Sequence, residues 1–351
     1  MRAVHRLTPI VNRSRIPWPS STPSGSPPAP EPAAPPTGMH LVRLLSTSRT
    51  GAVTPGSHQQ HERWVRMAHN GHVAIVLSPT SAPSDNPATP TATVTFSART
   101  DVGRVRKANE DSVSALSPVF LVADGMGGHA HGDIASQTVV RVFDEHIERD
   151  LPSTPERILD AIHSSNDAVR DLSAIEDYGT AVSGTTLAGV AFVHAGDDVG
   201  YYWMAFNVGD SRVYTWDGSV LAQLSVDHSA VQEMVDAGLI STEDAEKHPE
   251  RNVITRAIGG DEYVDADVWL LPADGRQRFL VCSDGLSKEL DSAEITRILL
   301  QQAEDEPADD EQTDGEPEST VADRLVNAAL EHGGHDNVSV VYVDCRYAAA
   351  R

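Results

Sequence analysis

The sequence predicts an α+β fold with antiparallel sheets. Strand-length apolar or alternating runs recur from Thr93 to Val343, and Gly/Asp turns too short for a helical crossover join several of them. The amphipathic helical stretches fall in groups between the strands. A doubly wound array would instead alternate strand and helix.

The first boundary is compositional. Fifteen of the 22 prolines lie in residues 1–90, with eight arginines, no lysine and only Glu31, Glu62 and Asp85 as acids, so this stretch carries +5. Residues 17–37 (PWPSSTPSGSPPAPEPAAPPT) cannot bury enough apolar surface to offset ordering entropy, and 1–91 is expected to be a disordered basic arm. Its Arg-rich, acid-poor character suits an organelle transit peptide, but prolines every few residues oppose the helix such peptides use. Met39 and Met67 are candidate translation starts between which the sequence does not decide. The apolar run Val73–Leu77 has no periodic partner and is assigned no function.

Residues 92–346 read as one folded domain, followed by a tail at 347–351. Thr93–Thr100 alternates as a strand, and Phe120–Ala123 is an apolar run ending in Asp-Gly. Ile134–Ile147 and Ile158–Leu172 have helical spacing of apolar residues. Strands are expected at Thr185–Val193, Tyr201–Val208, Arg212–Trp216 and Val220–Leu224, then short helices at 229–237 and 242–247. Arg278–Cys282 is a buried-type strand, Ala293–Ala303 and Val321–Leu330 are helices, and Val338–Val343 is the last strand. Between those helices, 304–319 (EDEPADDEQTDGEPES) holds nine acids and two prolines and reads as a self-repelling solvated loop.

The net charge is −24, so with +5 in the arm the body carries −29. That charge repels nucleic acid and anionic membranes. Cys282 and Cys345 imply no disulfide framework and read as small buried hydrophobes in a reducing compartment. No run approaches the roughly 18–20 apolar residues of a membrane span. A cytoplasmic monomer is expected.

Five carboxylate sites stand at strand ends. Asp124 and Asp284 each follow an apolar run and precede glycine, as Phe120-Leu-Val-Ala-Asp124-Gly125 and Phe279-Leu-Val-Cys-Ser-Asp284-Gly285. Asp336 precedes VSVVYV, Asp210 follows Tyr201–Val208, and Glu110 with Asp111 precedes another strand region. One Asp-Gly at a strand end is an ordinary turn. Five such sites, if they converge, need cations to neutralise them, and oxygen-only ligands favour Mg²⁺ or Mn²⁺. Two such ions sharing a water can supply a hydroxide-like nucleophile and hold a phosphoryl oxygen.

The ordered motifs RKANED (106–111), VADGMGGHAHGDIAS (122–136), SGTTLAG (183–189) and NVGDSRVY (207–214) continue through LSVDHSAV…HPERNVITRAIG (224–259), LVCSDGLS (280–287) and HDNVSVV (335–341). Over about 250 residues the chain resembles the type 2C metal-dependent serine/threonine protein phosphatases, in their compact bacterial branch. The resemblance implies an α-β-β-α sandwich with a flap at 227–260. It implies hydrolysis of protein phosphoserine and phosphothreonine, reversing the work of serine/threonine kinases. Asp124 would bridge two Mn²⁺ or Mg²⁺ ions with the Gly125 carbonyl as a further ligand. Asp284 and Asp336 would complete one ion, and Glu110 and Asp111 would serve the other. A third ion in bacterial relatives corresponds to Asp210 with Asp284. Arg106 matches the arginine that grips the substrate phosphate. His129, or else His131, is a candidate proton donor, whereas His228 and His335 are expected to orient turns. No Cys-x₅-Arg loop follows Cys282, so direct hydrolysis without a phosphoenzyme is expected. A pseudophosphatase and an enzyme acting on small phosphate esters are the competing readings.

Overall fold

Thirteen strands and seven helices make up a computed structural model that describes residues 40–43, 69–76, 91–127, 132–174, 183–196, 198–305 and 319–349, all within the unit Pro35–Arg351. Strands β1 (His40–Arg43), β2 (His69–Val76), β3 (Thr91–Asp101), β4 (Asp111–Leu116) and β5 (Val119–Met126) come first. Helices α1 (Gly132–His146) and α2 (Pro155–Ala174) follow. Then come β6 (Gly184–Thr185), β7 (Leu187–His194), β8 (Tyr201–Val208), β9 (Arg212–Trp216) and β10 (Leu221–Gln223). The short helices α3 (Ala230–Asp236) and α4 (Thr242–Ala245) lead to β11 (Asp267–Pro272) and β12 (Gly275–Cys282). Beyond β12 lie α5 (Asp284–Ser287), α6 (Ser292–Asp305), α7 (Val321–His332) and β13 (Val338–Ala348).

The strands form two sheets in which every paired neighbour is antiparallel. One runs β1-β11-β8-β7-β5-β4, with β6 added beside β5; the other runs β10-β9-β12-β13-β3-β2. Their inner faces meet through Phe120, Phe192 and Trp203 of the first sheet and Phe279, Val341 and Val343 of the second. Trp203 anchors this layer, its ring centroid 5.0 Å from Phe279 and 5.3 Å from Phe192. Helices α1 and α2 cover the outer face of the first sheet, and α6 and α7 cover that of the second. The result is the α-β-β-α sandwich. Because both faces of each sheet are covered, β7 is buried from Leu187 to Val193 and reads as a continuous apolar run rather than an alternating one.

The structure departs from the sequence reading at four places. Two segments of the arm expected to be disordered are strands: β2 pairs with β3 and β1 pairs with β11. Each lies along an edge that would otherwise leave a row of N–H and C=O groups unpaired. The Val73–Leu77 run is therefore mostly strand, and its apolar content was masked by proline-rich surroundings. Strand β11 was not anticipated, because its six residues begin with an acid and end in a proline. Strand β13 reaches Ala348, into the segment read as a tail. Most of the acidic loop, 306–318, lies outside the described residues.

Candidate metal centre

Register brings the acids to one end of the sandwich. Asp111 opens β4, Asp124 lies near the end of β5, and the two are paired directly across the ladder. Directly opposed residues share a face of the sheet, with Cβ atoms about 4.5–5.5 Å apart, and like charges there repel. In the other sheet Arg212 pairs with Cys282 and Cys282 with Val340. Asp210 precedes β9, Asp284 follows β12 and Asp336 precedes β13, so all three project from the same end of that sheet.

Glycines permit the approach of the two sheets' loops. A Cβ on Gly125 would stand 2.0 Å from the Gly132 carbonyl oxygen and 2.6 Å from that of Glu110. A Cβ on Gly132 would stand 2.9 Å from Glu110 Oε1. The first turn of α1 thus rests directly on the strand that bears Asp124, with the Glu110 side chain against it. A Cβ on Gly285 would stand 1.9 Å from the Asn337 carbonyl oxygen, which holds the Asp284 turn against the Asp336 turn.

Hydrogen bonds then fix the backbone. Asn337 Oδ1 accepts from the Glu110 amide at 2.9 Å, while its Nδ2 donates to the carbonyls of Val102 and Ala108, each at 2.9 Å. Ser136 Oγ donates to the Glu110 carbonyl at 2.6 Å. Thr186 Oγ1 accepts from the Asp124 amide at 2.9 Å and lies 2.7 Å from Ser211 Oγ, which links the Asp124 strand to the Asp210 turn. His228 Nδ1 accepts from the Gly209 amide at 3.1 Å and its Nε2 is 3.3 Å from Asp267 Oδ2, so the ring braces the turn before Asp210. His335 donates its backbone N–H to Glu289 Oε1 at 2.8 Å, and its Nδ1 lies 2.8 Å from the same oxygen.

Both carboxylate oxygens of the buried Asp111 and Oδ1 of Asp284 have no hydrogen-bond partner in the protein. Ser283 and Ser339 stand beside Asp111 and pull its pKa down in part; Ser339 Oγ donates to Thr100 at 2.8 Å, while Ser283 Oγ accepts from the Ser339 amide at 3.0 Å and keeps its own O–H to turn toward the carboxylate. Burial, reinforced by Asp284 and Asp336, pushes the Asp111 carboxyl up to about 7. Burial and the charge of Asp284 push Asp210 up to about 7. Asp124 is held well above the carboxylate range by burial and by Asp111, Asp284, Asp210 and Asp336. Burial also raises Glu110, against the pull of Arg106. Buried carboxylates left unpartnered among other carboxylates are what a hard divalent cation relieves. The all-oxygen donor set fits Mg²⁺ or Mn²⁺.

Two basic side chains partly offset this charge. Arg106 Nη2 donates to Asp336 Oδ2 at 2.8 Å, and Lys288 forms an ion pair with Asp284. Among the described residues, no three His, Cys, Asp or Glu side chains stand close enough together to enclose an ion as they are. Arg106, Glu110, Asp111, Asp124, Gly125, Asp210, Asp284 and Asp336 all lie at this end of the sandwich, whereas His129 and His131 fall outside the described residues. The sequence reading missed the roles of Gly132, Thr186, Asn337 and Lys288. The first three sit inside the motifs that drew attention to the acids, and Lys288 follows the last residue of one of them.

The segment 227–260 stands beside the centre. Arg212 grips Asp227 at its start, with Nε 3.0 Å from Oδ1 and Nη2 2.6 Å from Oδ2. At its far end Ile258 exchanges backbone hydrogen bonds of 2.8 and 3.1 Å with Thr185, which pairs with Gly125. Between these anchors α3 and α4 bury no residue, and Leu239 is 73% exposed.

Comparison with known proteins gives a consistent picture. The sequence profile of the protein phosphatase 2C family matches residues 106–315. The serine/threonine phosphatase stp of Listeria monocytogenes serotype 4b (strain F2365) is 34% identical over 263 residues, which cover 70% of this chain and 94% of that protein. The serine/threonine protein phosphatase PstP of Mycobacterium tuberculosis (strain ATCC 25618 / H37Rv) is 37% identical over 251 residues, covering 71% of this chain and 44% of that protein. A crystal structure of the catalytic domain of serine threonine protein phosphatase PstP in complex with two manganese ions aligns with a TM-score of 0.58 and 31% identity, over 73% of this chain and 99% of that one.

Proposed function

The chain belongs to the protein phosphatase 2C family, and from that premise we propose that it hydrolyses phosphoserine and phosphothreonine in proteins at a binuclear Mn²⁺ or Mg²⁺ centre. The observation that carries this reading is the placement of Asp111 directly opposite Asp124, with both Asp111 oxygens unpartnered and the acids of the second sheet close by.

Asp124 would bridge the two ions with the Gly125 carbonyl beside it. Asp284 and Asp336 would hold one ion, and Glu110 and Asp111 the other. Bound there, the ions supply the activated water and offset the charge of the phosphate dianion. The protein's own contribution is placement. Asn337, Ser136 and Thr186 fix the backbone from which Glu110 and Asp124 project. Arg106, half exposed, spends one N–H on Asp336 and has others in a planar fork suited to phosphate oxygens. His129, with His131 as the alternative, is our candidate for protonating the leaving Ser or Thr oxygen. The flap at 227–260, anchored at both ends and lightly packed between, is the surface on which substrate proteins would be selected.

Phosphoproteins are thus the substrates, and the serine/threonine kinases that modify them are the opposing enzymes. No helix among the described residues is long and apolar enough to cross a membrane. We place the enzyme in the cytoplasm as a monomer, with residues 92–346 as its catalytic domain and the arm outside the chemistry.

The test is phosphate release from a phosphothreonine peptide, with and without Mn²⁺, for wild type and Asp124→Ala. Turnover should require the metal, stop with a chelator and fall at least ~100-fold in the variant, since both ions depend on the bridging acid. Equal activity in Asp124→Ala would remove Asp124 from the centre. Metal binding without turnover on any phosphopeptide would remove the protein phosphatase reading.

A further inference from the structure

Lys288 is placed by the fold rather than by chance exposure. Asp284 opens α5, and the Lys288 amide donates to the Asp284 carbonyl at 2.8 Å, one helical turn later. That i,i+4 spacing puts both side chains on one face of the turn. The Lys288 ammonium contacts Asp284 Oδ2, and its charge also acts on Asp210 and Asp336. Asp284 stands two residues beyond Cys282 and Asp210 two before Arg212, and Cys282 and Arg212 pair across the ladder, so Lys288 sits at the pair of acids that the family resemblance assigned to a third metal ion.

The charges at the centre match such an arrangement. Glu110, Asp111, Asp124, Asp210, Asp284 and Asp336 bring six negative charges when ionised. Two divalent ions leave a surplus of two, and Arg106 and Lys288 are the basic groups ion-paired to these acids among the described residues. An ammonium has three donors, enough to serve Asp284 and still face Asp210. A divalent ion added between the same carboxylates would have to displace it or sit against a like charge in a partly buried site.

We propose that the Lys288 ammonium takes the place of a third divalent cation between Asp284 and Asp210, so that this chain binds two ions per molecule. The inference rests on the metal-centre reading above. In it Lys288 is a positioning residue: it holds Asp284 in place and keeps a fixed positive charge at the acid pair whatever the metal concentration.

The test is Mn²⁺ stoichiometry by equilibrium dialysis and elemental analysis, on the full chain, up to millimolar Mn²⁺. Wild type should saturate at two ions, and Lys288→Arg should do the same. Lys288→Asp should saturate at three, and adding Asp210→Asn to it should return the count to two. Lys288→Gln, which keeps a polar side chain one atom shorter and without the charge, guards against a folding defect in the aspartate variant and should also admit a third ion. A third ion in wild type would overturn the proposal. So would a count of two in folded Lys288→Asp and Lys288→Gln. A wild type that binds no Mn²⁺ would overturn the metal centre itself, and this proposal with it.

Discussion

The side-chain oxygen of Asn337 accepts the backbone N–H of Glu110 at 2.9 Å, joining residues 227 positions apart and tying the loop ahead of β4 to the turn ahead of β13. The same side chain donates to Val102 and Ala108, so one amide sets where Glu110, Asp111 and Asp336 stand relative to each other. Asn337→Ala leaves two carbonyls and one amide unpaired at a site that is nearly buried. Mn²⁺ affinity should fall about 10–100-fold, the usual effect of losing a group that orients ligands. Titration calorimetry on wild type and variant would measure it, and a dissociation constant unchanged within about twofold would exclude the orienting role.

The acids predict an unusual pH dependence for the metal-free protein. Asp111 and Asp210 are each pushed up to about 7 in the folded chain, above the usual carboxylate value near 4 in an unfolded one. Between those values the folded state holds more protons than the unfolded state. The stabilising effect is complete below about pH 4 and is lost as pH rises through about 7. Bound metal replaces the Asp111 proton and removes that part of the penalty. The rise in Tm on adding Mn²⁺ should therefore be larger at pH 7.5 than at pH 5.5, and a scan in chelator should show Tm falling between them. An Mn²⁺ increment that is equal or greater at pH 5.5 would contradict the assignment of Asp111 as a ligand.

Gly125 and Gly132 should be intolerant of a methyl group, to different degrees. At Gly125 the clash at 2.0 Å is with the backbone oxygen of Gly132, which cannot swing away. At Gly132 the side-chain neighbour is the movable end of Glu110, with Gly125 backbone also at 2.9 Å. Overpacking typically costs about 1–3 kcal/mol and more where backbone must shift. Gly132→Ala should fall in that range and Gly125→Ala should exceed it. Gly260→Ala, whose Cβ would meet nothing closer than 3.4 Å, is the control and should stay within about 0.5 kcal/mol. Urea denaturation of the three variants gives the ranking, and Gly125→Ala as stable as the control would refute it.

How far the sequence could be read follows from burial. Tyr201–Val208 and Arg212–Trp216 were expected with the limits they have, because strands covered on both faces are dense apolar runs bounded by turns. Edge strands lack that signature: β1 and β2 lie in proline-rich surroundings; β11, next to the edge, is short and begins with an acid and ends in a proline. The acids were legible because each marks the place where a buried strand stops. What positions them was not. Asn337 acts on a residue more than two hundred positions away, and Thr186 reaches Asp124 only because β5 and β7 are neighbours. Lys288 gains its meaning from the helical turn after Asp284, which is too short to leave a periodic pattern.

Arg106 separates substrate binding from metal binding. Its side chain is 50% exposed and its partner Asp336 26%, so the ion pair itself adds little to stability, on the order of 0–1 kcal/mol. Removing it frees an oxygen of Asp336 for a cation instead of taking a ligand away. Arg106→Ala should therefore leave Mn²⁺ affinity equal or higher and shift Tm little, while the phosphate loses a charged fork. For a phosphothreonine peptide KM should rise about tenfold or more, the loss of one charge-assisted pair of about 1.5–3 kcal/mol. Arg106→Lys keeps the charge but not the planar geometry, and should recover only part of the loss. Steady-state kinetics beside Mn²⁺ calorimetry on the three proteins decides the matter. If Mn²⁺ affinity and KM deteriorate together, Arg106 supports the metal site, and if neither changes it is a surface charge.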